Sequence, residues 1–210
     1  MVSYNALVEG VIKGDASVIE TEVNKALNEG VSAQDILAKG LISGMNVVGE
    51  RFKDGDMFLP EVLMSARAMH RGLGIVRPLL AKSGQSSQGK IVMGTVEGDI
   101  HDIGKKIVSF LFQGNGFDVI DLGIDLKAEV FIQAIEEHKP DILGMSALLT
   151  TTMLNMGKVI ELLEEKGLRE KIKVIVGGAP VSEEFAKSIG ADGYAPEAAS
   201  AVELVKKLIA

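Results

Sequence analysis

The 210-residue sequence contains no cysteine and no tryptophan. The first absence excludes disulfides, thiolate zinc sites, cysteine-ligated iron–sulfur clusters and a cysteine nucleophile. The second, with only 2 Tyr and 7 Phe, leaves too few rings for a base-stacking platform. Basic residues are in the minority: Lys and Arg number 22 against 29 Asp and Glu, a formal charge of −7 that suits a phosphate backbone poorly. No apolar run approaches the roughly 18 residues of a membrane span, and the opening MVSYNALVEGVIKGD lacks the pattern of a signal peptide. The expectation is a cytoplasmic protein with no nucleic-acid or membrane partner. Its chemistry must come from His, carboxylates, hydroxyls, backbone groups or a bound cofactor.

What is present is a globular balance of 47% hydrophobic and 24% charged residues. The polar, small-residue stretch AKSGQSSQG at 81–89 reads as a linker, so the expected domains are 1–88 and 89–210. Four helices are predicted before it, near 3–13, 15–29, 32–53 and 59–80. Gly14-Asp15, Gly30 with Ser32, and Asp54-Gly55-Asp56 mark their boundaries, and Pro60 suits a first helical turn. Leu37, Leu41, Met45, Val48 and Phe52 recur at helical spacing on one face. Short loops between amphipathic helices predict a compact four-helix bundle.

The second half alternates between two periodicities. Short apolar runs at 90–96, 118–122, 142–146, 173–176 and 192–195 read as strands. Helices are predicted near 103–114, 127–138, 152–166, 182–189 and 197–209. Five strands alternating with five helices predict an α/β fold with a doubly wound, Rossmann-like parallel sheet. Such a sheet binds ligands beyond the carboxyl ends of its strands. Those loops hold few Lys or Arg, no G-x-G-x-x-G and no Walker lysine, so the usual nucleotide readings lack their residues.

The loop after the first strand, Glu97-Gly98-Asp99-Ile100-His101-Asp102-Ile103-Gly104, holds one of three histidines. His70 and His138 fall on predicted helices among charged neighbours and read as surface residues. Three readings of His101 are open. It is an exposed residue in a helix-start loop capped by Asp99 or Asp102. Or it joins Glu97, Asp99 and Asp102 in a hard-metal or zinc site, a weak set with one His. Or it is the single protein ligand of a metal held in a macrocycle, oriented by a carboxylate behind it.

Asp99-x-His101-x-x-Gly104 resembles the D-x-H-x-x-G signature of cobalamin-binding domains. Ser146-Ala147-Leu148 resembles the S-x-L motif after the third strand, and Gly177-Gly178 the GG motif after the fourth. Phe52-x-x-Gly55-x-x-Phe58-Leu59-Pro60-x-Val62 resembles the helical cap of methionine synthase and of methyltransferase corrinoid proteins. With four motifs in order from about residue 5 to 209, the chain is identified as resembling the methyl-carrying corrinoid proteins of methylamine, methanol or methoxyarene methyltransferase systems.

The resemblance implies a helical cap followed by a flavodoxin-like cobalamin domain. The corrinoid would bind base-off/His-on: its nucleotide tail leaves cobalt, and His101 takes the lower axial position. Asp99 would accept a hydrogen bond from the other imidazole nitrogen. Thr152 stands where methionine synthase has the serine that ends this relay. Gly98, Ile100, Asp102 and Thr150 match cofactor-contacting positions. Ser146 would hydrogen-bond the tail and Leu148 line its slot. Gly104, Gly177 and Gly178 would keep side chains out of the tail's volume. Tyr194 and Ala198 would lie near its far end. Phe52, Leu59 and Val62 would cover the methyl face of cobalt, although their periodicity equally suits bundle core.

The implied function is a methyl carrier, not a complete enzyme. It would shuttle a methyl group from a substrate-specific methyltransferase to a second methyltransferase serving an acceptor such as tetrahydrofolate or a thiol. A reductive activating protein would restore the cobalt. Three other readings stand beside it: a cobalamin-dependent sensor, the cobalamin subunit of a carbon-skeleton mutase, and a cofactor-free signalling domain. A sensor would add a DNA-binding helix-turn-helix before the cap, whereas this sequence begins with the bundle. A mutase would need a substrate barrel, and a cofactor-free protein would be colourless.

Overall fold

In a computed structural model, residues 4–82 and 87–209 are described. Of the expected linker, residues 83–86 lie outside them. The chain divides into two compact units. One comprises residues 1–88 with 110–116, the other residues 89–109 with 117–210.

The first unit contains helices α1 (Asn5–Ile12) and α2 (Ala16–Asn28). A continuous helical stretch, α3, follows over 33–53, and then α4 (Leu59–Lys82). The predicted boundary residues act as expected. The Asp15 carboxylate accepts from the backbone N–H groups of Ser17 and Val18, and Ser32 Oγ accepts from Asp35 N–H. Gly55 turns the chain with φ +80°. Ile36–Ile42, inside α3, is a π-helix that the apolar periodicity did not reveal. There Ser43 Oγ reaches back to Ala38 C=O at 3.0 Å. A Cβ on Gly40 would lie 2.7 Å from Leu7, and one on Gly44 2.7 Å from Val11, so these two glycines let α1 approach α3 closely.

The second unit alternates strand and helix: β1 (Lys90–Thr95), α5 (Ile103–Gly114), β2 (Asp118–Asp121), α6 (Ala128–His138), β3 (Ile142–Ser146) and α7 (Asn155–Glu165). Then come a short 3₁₀ turn, β4 (Lys173–Gly177), α8 (Glu183–Ser188), β5 (Gly193–Tyr194) and α9 (Ala198–Leu208). The strands form one parallel sheet in the order β2-β1-β3-β4-β5. This is the doubly wound arrangement expected, in its flavodoxin-like order. Val92, Leu143, Val174 and Val176 are buried against Phe131, Ile135, Val159 and Ile160 from the helices. Strand order reverses between β1 and β3, so the loops leaving these two strands open a crevice at the carboxyl edge of the sheet.

Candidate functional site

That crevice is built around Asp99, just after β1, whose side chain is 0% exposed. Its Oδ2 accepts from Thr152 Oγ1 at 2.6 Å, from Leu148 N–H at 2.7 Å and from Leu149 N–H at 3.3 Å. Its Oδ1 accepts from His101 N–H at 3.1 Å and lies 2.7 Å from His101 Nδ1. Burial is the largest influence on the carboxyl and pushes its pKa up. The hydrogen bonds from Thr152, Leu148 and His101 together outweigh it and hold Asp99 well below the usual carboxylate range. An ionised Asp99 only accepts, so the proton on this contact belongs to His101 Nδ1. Nε2 is then the nitrogen with the free lone pair.

The His101 side chain is 47% exposed, which leaves the imidazole accessible above its buried partner. Among the described residues no group of three His, Cys, Asp or Glu is placed to hold a metal ion. The zinc reading therefore fails on geometry: Asp99 is consumed by its donors, and Asp102 pairs with Lys106 at 2.5 Å. One imidazole nitrogen backed by a carboxylate suits a metal that brings its other ligands with it. The surroundings agree in shape and polarity. Ile100, Ile103, Ile124, Leu148, Leu149 and Leu154 are all exposed on the loops around His101 or at their helix starts. Such an apolar rim marks a surface that another molecule covers.

The other predicted residues fall on the same edge of the sheet or leave it. Gly98 adopts φ +80°, and Thr150 is exposed in the loop after β3. Ser146 ends β3, with its Oγ 2.9 Å from Thr95 Oγ1. A Cβ on Gly104 would meet nothing within 4 Å, so the space beside it is open. Gly177 has Ala195 C=O 3.4 Å from such a position. Gly178 has a reason for being glycine within the chain itself. At φ +128° its Cβ would fall 1.8 Å from Ala147 C=O, so the chain's own backbone takes that volume. Tyr194 is half-buried against the sheet's core, and Ala198 is buried at the start of α9. In the helical unit Phe52 and Leu59 are half-buried, Val62 is 0% exposed and Phe58 is 69% exposed. His70 is exposed, as read from its neighbours, whereas His138 is half-buried and not the surface residue expected.

Several residues of the site escaped the sequence reading. Thr95, fully buried, donates from Oγ1 to the His101 carbonyl at 3.1 Å. Asn155 Nδ2 donates to the Glu97 carbonyl at 2.8 Å. Lys105 is buried in an ion pair with Asp121. Asp125 meets Gly98 and Asp99. Of the exposed apolar rim, Ile103, Ile124, Leu149 and Leu154 were also missed. Polar residues one strand away carry no local pattern, but an apolar run outside any strand, as in Ala147-Leu148-Leu149, is a usable signal.

Comparison with known proteins gives two family matches, each described as a B12 binding domain, over residues 4–77 and 89–204. A corrinoid protein of Desulfitobacterium hafniense (strain Y51) is 50% identical over 97% of this chain and 95% of its own length. The dimethylamine corrinoid protein of Methanosarcina barkeri is 46% identical over 97% and 96%. Among solved structures, the methanol:cobalamin methyltransferase complex of Methanosarcina barkeri matches with a TM-score of 0.87 at 33% identity. That match covers 98% of this chain and 79% of the other.

Proposed function

The chain belongs to the corrinoid proteins of methylamine and methanol methyltransferase systems, and from that premise we propose that it carries a methyl group on a corrinoid bound base-off/His-on. The observation that supports this most directly is the His101 imidazole. It is held through Nδ1 by a buried, ionised Asp99, with Nε2 accessible inside an apolar rim.

The corrinoid supplies the cobalt on which the methyl group is carried. The protein's part is to bind, orient and shield. His101 would hold the metal through Nε2. Asp99, held by Thr152, would fix the tautomer and ring plane, and the negative charge of its carboxylate would raise the basicity of the ligand. Gly98, Ile100, Asp102 and Thr150 would line the lower face of the macrocycle. Ser146, Leu148, Gly104, Gly177 and Gly178 would flank the tail, with Tyr194 and Ala198 at its far end. Residues 1–88 would form the cap and 89–210 the corrinoid-binding domain. Phe52 and Leu59, half-buried near the turn at Asp54-Gly55-Asp56, would exclude water from the methyl face, and the exposed Phe58 joins them. Val62, matched to the same face, is fully buried.

The methyl donor would enter through a substrate-specific methyltransferase. A second methyltransferase would pass the group to an acceptor such as tetrahydrofolate or a thiol, and a reductive activating protein would restore the metal. The test is His101→Ala reconstituted with cobalamin and reduced to Co(II). The expected result is a folded protein with weaker corrinoid binding and no nitrogen hyperfine splitting from the protein. Splitting that persists in the variant would refute the axial role of His101.

A further inference from the structure

We infer that Asp125 is a positioning residue for the axial-ligand loop, a clamp that fixes the peptide groups at the two ends of the Gly98-Asp99 pair. The inference rests on the reading of His101 as the lower ligand of the corrinoid.

Asp125 lies in the loop between β2 and α6, well away in sequence from the loop it holds. Its carboxylate Oδ1 accepts from Gly98 N–H at 2.7 Å. Its own N–H donates to the Asp99 carbonyl at 3.0 Å. The two bonds seize the peptide before Gly98 and the peptide after Asp99. The Gly98-Asp99 segment is thereby held at both ends, with the Asp99 N–H donating to Val96 C=O at 3.1 Å between them, and the Asp99 carboxylate meets His101 and Thr152. The neighbouring bonds Thr95 N–H to Gly123 C=O and Leu126 N–H to Thr95 C=O, both 3.1 Å, keep the two loops side by side.

The backbone of Asp125 marks the residue as selected for more than turn shape. Among the described residues only Asp125 and Lys139 are non-glycine residues with positive φ, at +54° and +47°. Lys139 is the ordinary left-handed cap of a helix end, at the close of α6. Asp125 ends no helix. A left-handed conformation costs a non-glycine residue energy, and glycine would adopt it freely. Strain kept beside a site calls for a compensating role, and the carboxylate bond to Gly98 N–H supplies one. If the turn alone mattered, glycine would serve better. If the clamp matters, glycine removes the acceptor and asparagine, which tolerates the same conformation, keeps one.

The experiment compares Asp125→Gly, Asp125→Asn and His101→Ala in the full-length protein. Three quantities are read: thermal midpoint and Gly98 amide exchange without corrinoid, and nitrogen hyperfine splitting after loading with cobalamin reduced to Co(II). Asp125→Gly is expected to fold with a midpoint at or below the parent's, since the bond lost at Gly98 offsets the relief at φ +54°. Its Gly98 amide should exchange about tenfold faster, and its His-coordinated fraction should fall about threefold or more. Asp125→Asn should stay close to the parent in all three. Normal Gly98 protection and normal His coordination in Asp125→Gly, with coordination lost in His101→Ala, would overturn the clamp alone. Splitting unchanged in both variants would overturn the axial-ligand reading itself. An Asp125→Gly protein that fails to fold would also overturn the clamp, because the residue would then serve the fold.

Discussion

Replacing Thr152 by Val removes one hydroxyl from a nearly isosteric side chain and tests the charge state of the relay. The lost bond is the 2.6 Å donation from Oγ1 to Asp99 Oδ2; a second contact from the same hydroxyl, to Leu149 C=O at 3.1 Å, goes with it. Asp99 stays buried and keeps its donors at Leu148 and His101. A hydrogen bond to a charged group contributes about 1.5–3 kcal/mol. Losing it raises the folded-state pKa of Asp99 towards the ordinary carboxylate value. Because Asp99 titrates low when folded, its stabilisation is fully present above the unfolded carboxylate value of about 3.9 and fades as pH falls through the folded value. The variant has the higher folded value and loses its share first. The gap between parent and variant should be about 1.5–3 kcal/mol and flat from pH 8 to about 5, then narrow in acid. Urea titrations of the cofactor-free protein across that range, with Thr152→Ser as the variant that keeps the hydroxyl, measure it. A gap under about 0.5 kcal/mol at pH 7, or one that widens in acid, would refute a relay built on ionised Asp99.

Three further predictions concern the glycines and the cap. Gly178→Ala should be destabilised by several kcal/mol, seen as a lowered thermal midpoint, because its Cβ overlaps Ala147 C=O. Gly104→Ala should fold normally, since its Cβ meets open space, yet take up cobalamin more weakly in a binding titration. Phe52→Ala should photolyse its methylated corrinoid faster than the parent; a normal photolysis rate with a midpoint lowered by about 3–5 kcal/mol of lost packing would return Phe52 to the bundle core. A fragment of residues 89–210 should bind cobalamin and oxidise faster in air once reduced. An insoluble fragment would mean that residues 110–116, which group with the helical unit, need that unit to pack.

Element positions were legible because their signals are local. Asp15, Ser32, Gly30 and Gly55 act within a few residues of where they stand, and the five apolar runs needed only neighbours of their own kind. The D-x-H-x-x-G loop was legible for the same reason, since Asp99 meets His101 two residues away. The other partners of Asp99 lie about fifty residues on, and they become neighbours only once β1 and β3 pair. Thr95 and Asp125 belong to this class too, and nothing near them in sequence announces their role. The π-helix escaped because a one-residue widening barely disturbs the apolar spacing over 33–53. The close approach of Gly178 to Ala147 C=O was not legible, because backbone-to-backbone approach leaves no compositional trace.

The span between Asp99 and Thr152 also sets a timetable. The two are separated by 53 residues, and their bond closes only when β3 has joined β1. A ribosome adding about 5–20 residues per second needs roughly 3–10 s to travel that distance. For that interval the growing chain holds a histidine whose imidazole has no anchored carboxylate behind it. The carboxylate is anchored once β3 has paired with β1, before β4 and β5 join the sheet. On the proposed reading of His101, a stalled or truncated chain ending before Leu148 would lack the donors that anchor the carboxylate behind its ligand nitrogen.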